Sequence, residues 1–448
     1  MNIIGFDRWL TVPRQLCIDH KKIQTTSDLK TYIQQILTYV KNKDAVKVAI
    51  YFDNTYNFIA AFYALVLLDL KPLLLSYVKD KFLEENLNGY DLILTDNDLG
   101  YKRAVNVRDI KCEDMDLLDV DFTDLHLNDR CFYLQTSGST QNPKLILKSI
   151  EQMDAESATL ITMLKSCYST AQKGFKSSDT SIMLGSVFPN HMYGLTFRVF
   201  LCMNLGLFFD ASLIHYSEEL LKYKNKNIVF ISSPAFLKRL DPAFDYRSIV
   251  HTFSAGGAID KEVAKAYQSK SGSHITEIYG SSETGVIAYK SHPDLSMFRL
   301  FDGVEIVKSD ESFILSSKMA GSNIVLDDVL DFVSKTDFAI LGRKDRIVKI
   351  EEKRISISLI ERYISELEAV CENKVVVLNR KGRDILGVVV VAADKNIERK
   401  ELLSQIKDYL RSRVDNIAIP RMIRIIDGFK HNTMGKILNA DLLELFNE

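Results

Sequence analysis

Tyr-Leu-Gln-Thr-Ser-Gly-Ser-Thr-Gln-Asn-Pro-Lys, residues 133–144, gathers the hydroxyls of Thr136, Ser137, Ser139 and Thr140, the unhindered main chain of Gly138 and the cation of Lys144 in one loop directly after an apolar run. That composition suits a polyphosphate. Hydroxyls donate hydrogen bonds, a glycine lets main-chain N–H groups approach an anion, and a lysine beyond the turn at Pro143 adds a point charge. The stretch is not a Walker loop, because no Gly-Lys-Ser/Thr follows a leading glycine at the required distance. The same composition also suits an ordinary surface loop, so its meaning depends on the rest of the chain.

Three further polar clusters follow in order: Tyr279-Gly280-Ser281-Ser282-Glu283-Thr284, then Gly342-Arg343-Lys344-Asp345 with Arg354, then Met434-Gly435-Lys436. Together with the loop they resemble the adenylate-forming superfamily, which comprises acyl-CoA and aryl-CoA ligases, luciferases and the adenylation domains of peptide synthetases. That family's phosphate loop reads T-S-G-S-T-G-x-P-K, its adenine segment Y-G-x-T-E, its hinge segment G-R-x-D and its terminal segment N-G-K. The resemblance runs from Val48-Ala49-Ile50 to Lys436 and implies an α/β fold, with a large N-terminal adenylation domain over 1–343 and a small mobile α+β domain over 344–448.

The bulk properties agree with a folded enzyme of this kind. A chain of 448 residues, 46% of them hydrophobic, can bury more than one core. Its 57 basic and 59 acidic residues nearly balance, with only short basic groups such as 222–226, which argues against nucleic acid as a partner. The six cysteines form no Cys-x-x-Cys pair and accompany no histidine cluster, so a reducing, cytoplasmic setting is expected and no disulfide framework or zinc site. The first residues lack the basic and apolar regions of a signal peptide. The longest apolar run, Phe58 to Leu68, is too short to cross a bilayer.

Periodicity supports the α/β reading. Leu29, Tyr32, Ile33, Ile36 and Leu37 mark one helix face, and apolar strands are expected at 46–52, 72–75, 91–95, 182–187, 207–209, 228–231 and 249–254 with helical stretches between the first of them. Strands alternating with helices imply parallel pairing and covered faces. Past Gly342 the pattern changes to helices at 359–370 and 398–414 and strands at 374–378, 386–392 and 421–426.

The resemblance also assigns roles. Forming an acyl-adenylate sets a carboxylate against the α-phosphate of ATP, two anions that the protein must position and neutralise. Thr136, Ser137, Gly138, Ser139, Thr140 and Lys144 would wrap the β- and γ-phosphates. Glu283 would attend Mg2+, a hard cation that prefers oxygen ligands. Ser282 would reach the α-phosphate, Tyr279 with Gly280 would pack on adenine, and the main chain of Gly256 and Gly257 would line its other side. Asp328 would accept the ribose hydroxyls, with the neighbouring Asp327 leaving the register open by one residue, and Arg343 would donate to the same ribose. Asp345 matches the hinge residue, Arg354 an arginine that moves with it, and Lys436 the mobile lysine that closes over the α-phosphate and the substrate carboxylate. The chain departs from the family pattern at Gln141, Asp327, Glu352 and Met434.

The acid and its acceptor are read from less. The segment 188–195, Phe-Pro-Asn-His-Met-Tyr-Gly-Leu, resembles the family stretch in which a histidine or aromatic sits beside the incoming carboxylate, which would be His191; a hydrogen-bonded structural histidine reads equally well. Amino-acid-activating domains place an aspartate here, and none occurs, so an unaminated acid is expected. The wording looks most like ligases of aryl polyene and fatty-acid-like pathways, implying a benzoate- or cinnamate-like acid. The acceptor would be a phosphopantetheine thiol, on coenzyme A or on an acyl carrier protein; no basic cluster for coenzyme A phosphates is evident, which favours the carrier. The rival readings are an amino-acid-activating domain of the same fold and a degenerate, non-catalytic nucleotide-binding protein.

Overall fold

The computed structural model describes residues 3–76, 78, 87–110, 116–136, 144–168, 181–292, 296–309, 312–350, 353–380, 383–429, 437 and 439–446. The chain packs as two units, one of residues 1–305 with 316–324, the other of 306–315 with 325–448.

The first unit begins with β1 (Gln15–Asp19) and β2 (Lys22–Thr25), an antiparallel pair that runs into α1 (Thr26–Asn42). Thr25 caps α1 by accepting from the Asp28 N–H while the Asp28 carboxylate accepts from the Thr25 N–H, a reciprocal capping box. Strand β3 (Val48–Tyr51) leads into α2 (Thr55–Leu67), which is apolar nearly all round and buried along its length. Strands β4 (Leu73–Leu74), β5 (Leu92–Thr95), β6 (Ala104–Asn106), β7 (Cys131–Thr136) and β8 (Lys144–Ser149) complete a six-stranded sheet in the order β6-β5-β3-β4-β7-β8. All neighbours in it are parallel except β7 and β8, which form an antiparallel pair.

After α3 (Ile150–Tyr168) comes β9 (Ser181–Gly185), then a helix that passes from Met192–Gly194 through a π-helical stretch, Leu195–Leu201, into Cys202–Leu205. Strands β10 (Phe208–Asp210), β11 (Asn227–Ser232), β12 (Ile249–Ser254), β13 (Ile275–Ser281), β14 (Gly285–His292) and β15 (Phe298–Leu300) follow, with α4 (Pro234–Lys238) after β11 and α5 (Lys261–Ser271) after β12. The first unit's second sheet runs β15-β14-β13-β12-β11-β9-β10-β1-β2. Its interior pairs, from β13 to β1, are parallel. The continuous apolar run Ile228-Val229-Phe230-Ile231 is what a parallel strand covered on both faces requires.

Strands β16 (Glu305–Ser309), β17 (Ser312–Ser317) and β18 (Gly321–Leu326) form a three-stranded sheet. In the second unit β19 (Asp328–Phe332) pairs antiparallel with β20 (Asp337–Arg343), and β21 (Ile347–Ile350) with β22 (Lys353–Ser356). Helix α6 (Ile357–Ser365) is followed by β23 (Val370–Arg380) and β24 (Arg383–Ala392), then α7 (Arg399–Arg411) and β25 (Met422–Ile425). Leu402, Ile406 and Leu410 recur every four residues along α7 and meet Ile360, Ile364, Val388 and Ile423 in one core. The helix expected over 359–370 ends at Ser365, because Leu367 and Val370, which continue its apolar period, belong to the turn and strand that follow. Packing therefore divides the chain at 305–325.

Candidate active site

The phosphate-loop candidate sits where parallel strand β7 ends. Thr136 and Lys144 stand opposite each other in the β7–β8 ladder, and the Thr136 hydroxyl donates to the Lys144 carbonyl at 3.3 Å. The antiparallel return thus fixes both ends of the loop, at the carboxyl end of a parallel strand, where α/β sheets hold their ligands. Ser137, Gly138, Ser139, Thr140 and Gln141 lie outside the described residues.

The hairpin from β13 to β14 presents the second cluster. A bulge between Tyr279 and Gly280 shifts the register, so that Ser281 faces Gly285. A Cβ at Gly280 would overlap the Gly285 carbonyl, and Gly285 itself has φ +66°, so both positions need glycine. The turn is closed from within: the Ser281 N–H donates to the Thr284 hydroxyl at 2.9 Å, and the Thr284 N–H to the Ser281 hydroxyl at 3.2 Å. Those two hydroxyls are occupied, which leaves Ser282 and Glu283 at the tip. Tyr279 is half-buried, its ring 5.7 Å from that of Phe298. Gly256, just past β12, holds φ +88°.

Lys144 and Glu283 meet. The Lys144 ammonium donates to Glu283 Oε1 at 3.1 Å, with the two side chains 64% and 35% exposed. Burial works to raise the Glu283 carboxyl, but hydrogen bonds from its own main-chain N–H, Lys144 and Ser281 outweigh it and hold the group below the ordinary glutamate value. An ionised, half-exposed carboxylate beside a phosphate-type loop fits a magnesium ion bound mainly through nucleotide oxygens and water. Among the described residues no group of three or more His, Cys, Asp or Glu is placed to hold a metal ion.

Behind this pair is a buried polar network that the sequence did not announce. Lys148 lies four residues beyond Lys144 on the same face of β8. Its ammonium donates to the Met319 carbonyl at 2.9 Å and the Glu283 carbonyl at 3.4 Å, and stands 4.0 Å from Glu156 Oε1. Lys148 is 1% exposed and Glu156 0%. Glu156 also accepts from the Thr196 hydroxyl at 2.9 Å. Burial lowers the Lys148 ammonium and pushes the Glu156 carboxyl up to about 7. The one local signal is an inverted pattern: Leu145 and Leu147 are exposed on β8 while Lys148 is buried.

His191 opens the helix at 192–205, its carbonyl accepting from the Leu195 N–H at 2.8 Å. Its neighbour Asn190 joins the two sheets, accepting from the Phe52 N–H at 2.9 Å and donating to the Phe52 carbonyl at 2.6 Å. Gly194 approaches the Phe188 carbonyl so closely that a Cβ there would overlap it.

In the second unit Asp328 faces Arg343 across the β19–β20 ladder, while the Arg343 guanidinium reaches Asp327 at 3.4 Å. Both aspartates therefore remain beside the arginine. Asp345 lies in the 3-10 turn Lys344–Arg346 and Arg354 in β22 opposite Lys349, but the side chains of Asp345 and Arg354, and all of Glu352, Met434, Gly435 and Lys436, lie outside the described residues. One expectation is corrected: the fold does assemble a basic cluster, since Lys407, Arg411 and Arg421 line a cleft of about 360 Å³ with Asn416 and Ile419. These cations are spread along the sequence and converge only because α7 and the start of β25 pack together.

The fold is the one seen in ATP-dependent ligases of the AMP-forming type. The AMP-binding enzyme family matches residues 89–306. The protein called "Putative long chain fatty acid-CoA ligase VraA" of Staphylococcus aureus (strain COL) is 20% identical over 338 residues, 69% of this chain and 70% of its own length. O-succinylbenzoate coenzyme A synthetase of Bacillus subtilis, solved with AMP, superposes with a TM-score of 0.80 at 16% identity and covers 97% of both chains. MatB from Rhodopseudomonas palustris, solved with ATP, gives 0.81 at 15% identity over 100% of this chain and 99% of its own. The family match covers just under half of the chain, and the solved structures share its fold over nearly the whole of it.

Proposed function

We propose that the protein activates an unaminated aryl or fatty acid with ATP and passes the acyl group to a phosphopantetheine thiol. In the first half-reaction a carboxylate oxygen of the acid attacks the α-phosphorus, and pyrophosphate leaves. In the second, the thiol sulfur attacks the carbonyl of the acyl-adenylate, AMP leaves and the thiol proton passes to solvent. The observation that carries this reading is the Lys144–Glu283 contact, which sets the end of the hydroxyl loop against the turn after Tyr279.

The loop residues Thr136, Ser137, Gly138, Ser139, Thr140 and Lys144 hold the β- and γ-phosphates, and Ser282 reaches the α-phosphate. Tyr279, Gly280, Gly256 and Gly257 enclose adenine, and Arg343 with Asp328 or Asp327 holds the ribose. Glu283 would hold Mg2+, which supplies charge neutralisation on the triphosphate. His191 lies beside the acid's carboxylate. Lys436 arrives as residues 344–448 turn about Asp345 with Arg354, neutralising the α-phosphate and the carboxylate only in the closed pose. The free cysteines Cys17, Cys131, Cys202 and Cys371 are consistent with a reducing, cytoplasmic setting.

Coenzyme A is the acceptor favoured here, because Lys407, Arg411 and Arg421 offer a cleft with the charge its phosphates require. The names of the relatives, which are CoA ligases, point the same way. The test is acid-dependent exchange of labelled pyrophosphate into ATP across aryl, fatty and amino acids, followed by transfer to coenzyme A or to a phosphopantetheinylated carrier protein. Exchange with aryl or fatty acids and transfer to coenzyme A is expected. Response to amino acids alone, or no exchange with any acid, overturns the reading, and transfer to the carrier alone overturns the choice of acceptor.

A further inference from the structure

We infer that Lys148 is a positioning residue for Glu283, acting through the Glu283 main chain and held in place by Glu156 and Thr196. The inference rests on the functional reading above and extends it to a residue that no motif includes.

An ammonium has three donors and no acceptor. At Lys148 two of them meet the carbonyls of Glu283 and Met319, at 3.4 and 2.9 Å, and the ammonium stands 4.0 Å from the Glu156 carboxylate. Lys148 and Glu156 are buried, so neither has water to turn to. A cation taken out of solvent is expensive unless its charge and its donors are answered, so a lysine here has a narrow set of tolerable positions. That makes its tip a fixed point rather than a mobile side chain.

The fixed point lies where the turn needs one. Glu283 sits at the tip of a hairpin whose closing hydroxyls, Ser281 and Thr284, bond only within the turn, to each other, to its main chain and to Glu283. Nothing in that local set ties the turn to the loop-bearing strand. Lys148 does, because β8 presents Lys144 to the Glu283 carboxylate and Lys148 to the Glu283 carbonyl from one face. Glu156 supports the same geometry from the other side: its Oε1 fills the space where a Cβ at Gly285 would stand. Thr196 fixes the second carboxylate oxygen at 2.9 Å. The chain of contacts Thr196, Glu156, Lys148 and Glu283 carbonyl thus connects the 192–205 helix, α3 and β8 to the carboxylate proposed for magnesium.

Groups that orient a metal-binding side chain from behind change metal affinity by about 10- to 100-fold when removed. Lys148→Met keeps the length of the side chain and removes the donors. The experiment is calorimetric titration of the full chain with ATP, once with Mg2+ and once in EDTA, alongside KM values for ATP and for the acid. Lys148→Met is expected to lose about tenfold or more of the affinity that Mg2+ adds, with ATP affinity in EDTA and KM for the acid within about twofold of wild type. Lys148→Arg, which restores donors, is expected to recover most of the difference. A purely structural lysine would lower the folded fraction but leave the magnesium increment of the folded molecules unchanged, and that result overturns the inference. Should Lys148→Met fail to fold, Glu156→Gln serves instead: it keeps the shape and the Thr196 contact but releases the charge that pins Lys148, and an unaltered magnesium increment in it is equally fatal. A wild type that binds no ATP in either condition removes the functional reading, and the inference with it, whereas binding by wild type and all variants alike removes only the inference.

Discussion

Replacing Lys148 by methionine should uncover the charge of Glu156, and the size of the effect follows from burial. Both side chains are essentially inaccessible, with the ammonium 4.0 Å from the carboxylate. Removing one partner of a buried ion pair costs about 3–5 kcal/mol, because the other charge stays desolvated. The Glu156 carboxyl is already pushed up to about 7 by burial, from an ordinary value of 4.5, with Lys148 and Thr196 opposing the rise. A carboxyl raised in the folded state destabilises nothing below its unfolded value. Its cost grows with pH above 4.5 and stops growing at the folded value. In wild type the Glu156 contribution should therefore fall with pH and level off above about pH 7, at about 3 kcal/mol for the 2.5-unit shift. Without Lys148 the folded value moves higher, so Lys148→Met should go on losing about 1.4 kcal/mol per pH unit past that point. The assay is urea unfolding between pH 5 and 9 of wild type, Lys148→Met, Glu156→Gln and the double variant. Fluorescence of Trp9, the single tryptophan, reports it, since Trp9 is buried in the same unit. The double variant should lose this slope. A Lys148→Met curve that runs parallel to wild type above pH 7 would refute the coupling.

Other outcomes test other parts of the molecule. Gly285→Ala should destabilise the first unit by at least about 2 kcal/mol in urea, since an alanine at φ +66° costs about 1–2 kcal/mol and its Cβ must also displace the Glu156 carboxylate. His251 is buried and held down to about 3, by burial first and by His274 second. A lowered base gives stability that is complete above its unfolded value of 6.5 and is lost as pH falls, so wild type should lose about 2 kcal/mol more than His251→Leu between pH 7.5 and 5 in urea melts. Lys436→Ala should slow pyrophosphate exchange several hundredfold or more, in line with about 4 kcal/mol of transition-state charge stabilisation, while ATP binding by calorimetry changes little. Unchanged exchange would remove Lys436 from the first half-reaction.

How much was legible in advance depends on how local each feature is. The hydroxyl loop, the Gly280 turn and the parallel strands are written in neighbouring residues: a β-bulge and a positive φ select glycine, and a strand covered on both faces needs an unbroken apolar run. Asn190 is different. Its two hydrogen bonds to Phe52 span 138 positions, and nothing near residue 190 shows that a main-chain partner waits there. The Glu156 network is less legible still, because Lys148, Glu156, Thr196 and Met319 meet only after α3, the 192–205 helix and the strands have packed. Lys148 reads as a solvated charge at the end of an apolar strand, yet Leu145 and Leu147 take the exposed face. The basic cleft of the second unit was missed for the same reason, its three cations being dispersed over residues 407–421.

In the proposed nucleotide site the two lysines of β8 divide the labour. Lys144 is mostly exposed and its contact with Glu283 is open to solvent, so the pair is worth at most about 1 kcal/mol and an incoming triphosphate can take the ammonium for itself. Doing so frees the Glu283 carboxylate, already ionised, at the moment a cation arrives with the phosphates. Lys148 cannot be exchanged in this way, because leaving its site would strand the Met319 carbonyl and the Glu156 carboxylate away from water. Had the burial been reversed, with Lys144 fixed and Lys148 mobile, Glu283 would be neutralised permanently at its carboxylate and unsupported at its main chain. The observed order leaves the reactive end of the glutamate exchangeable and its backbone fixed, which is the arrangement that lets binding reorganise charges without reorganising the fold.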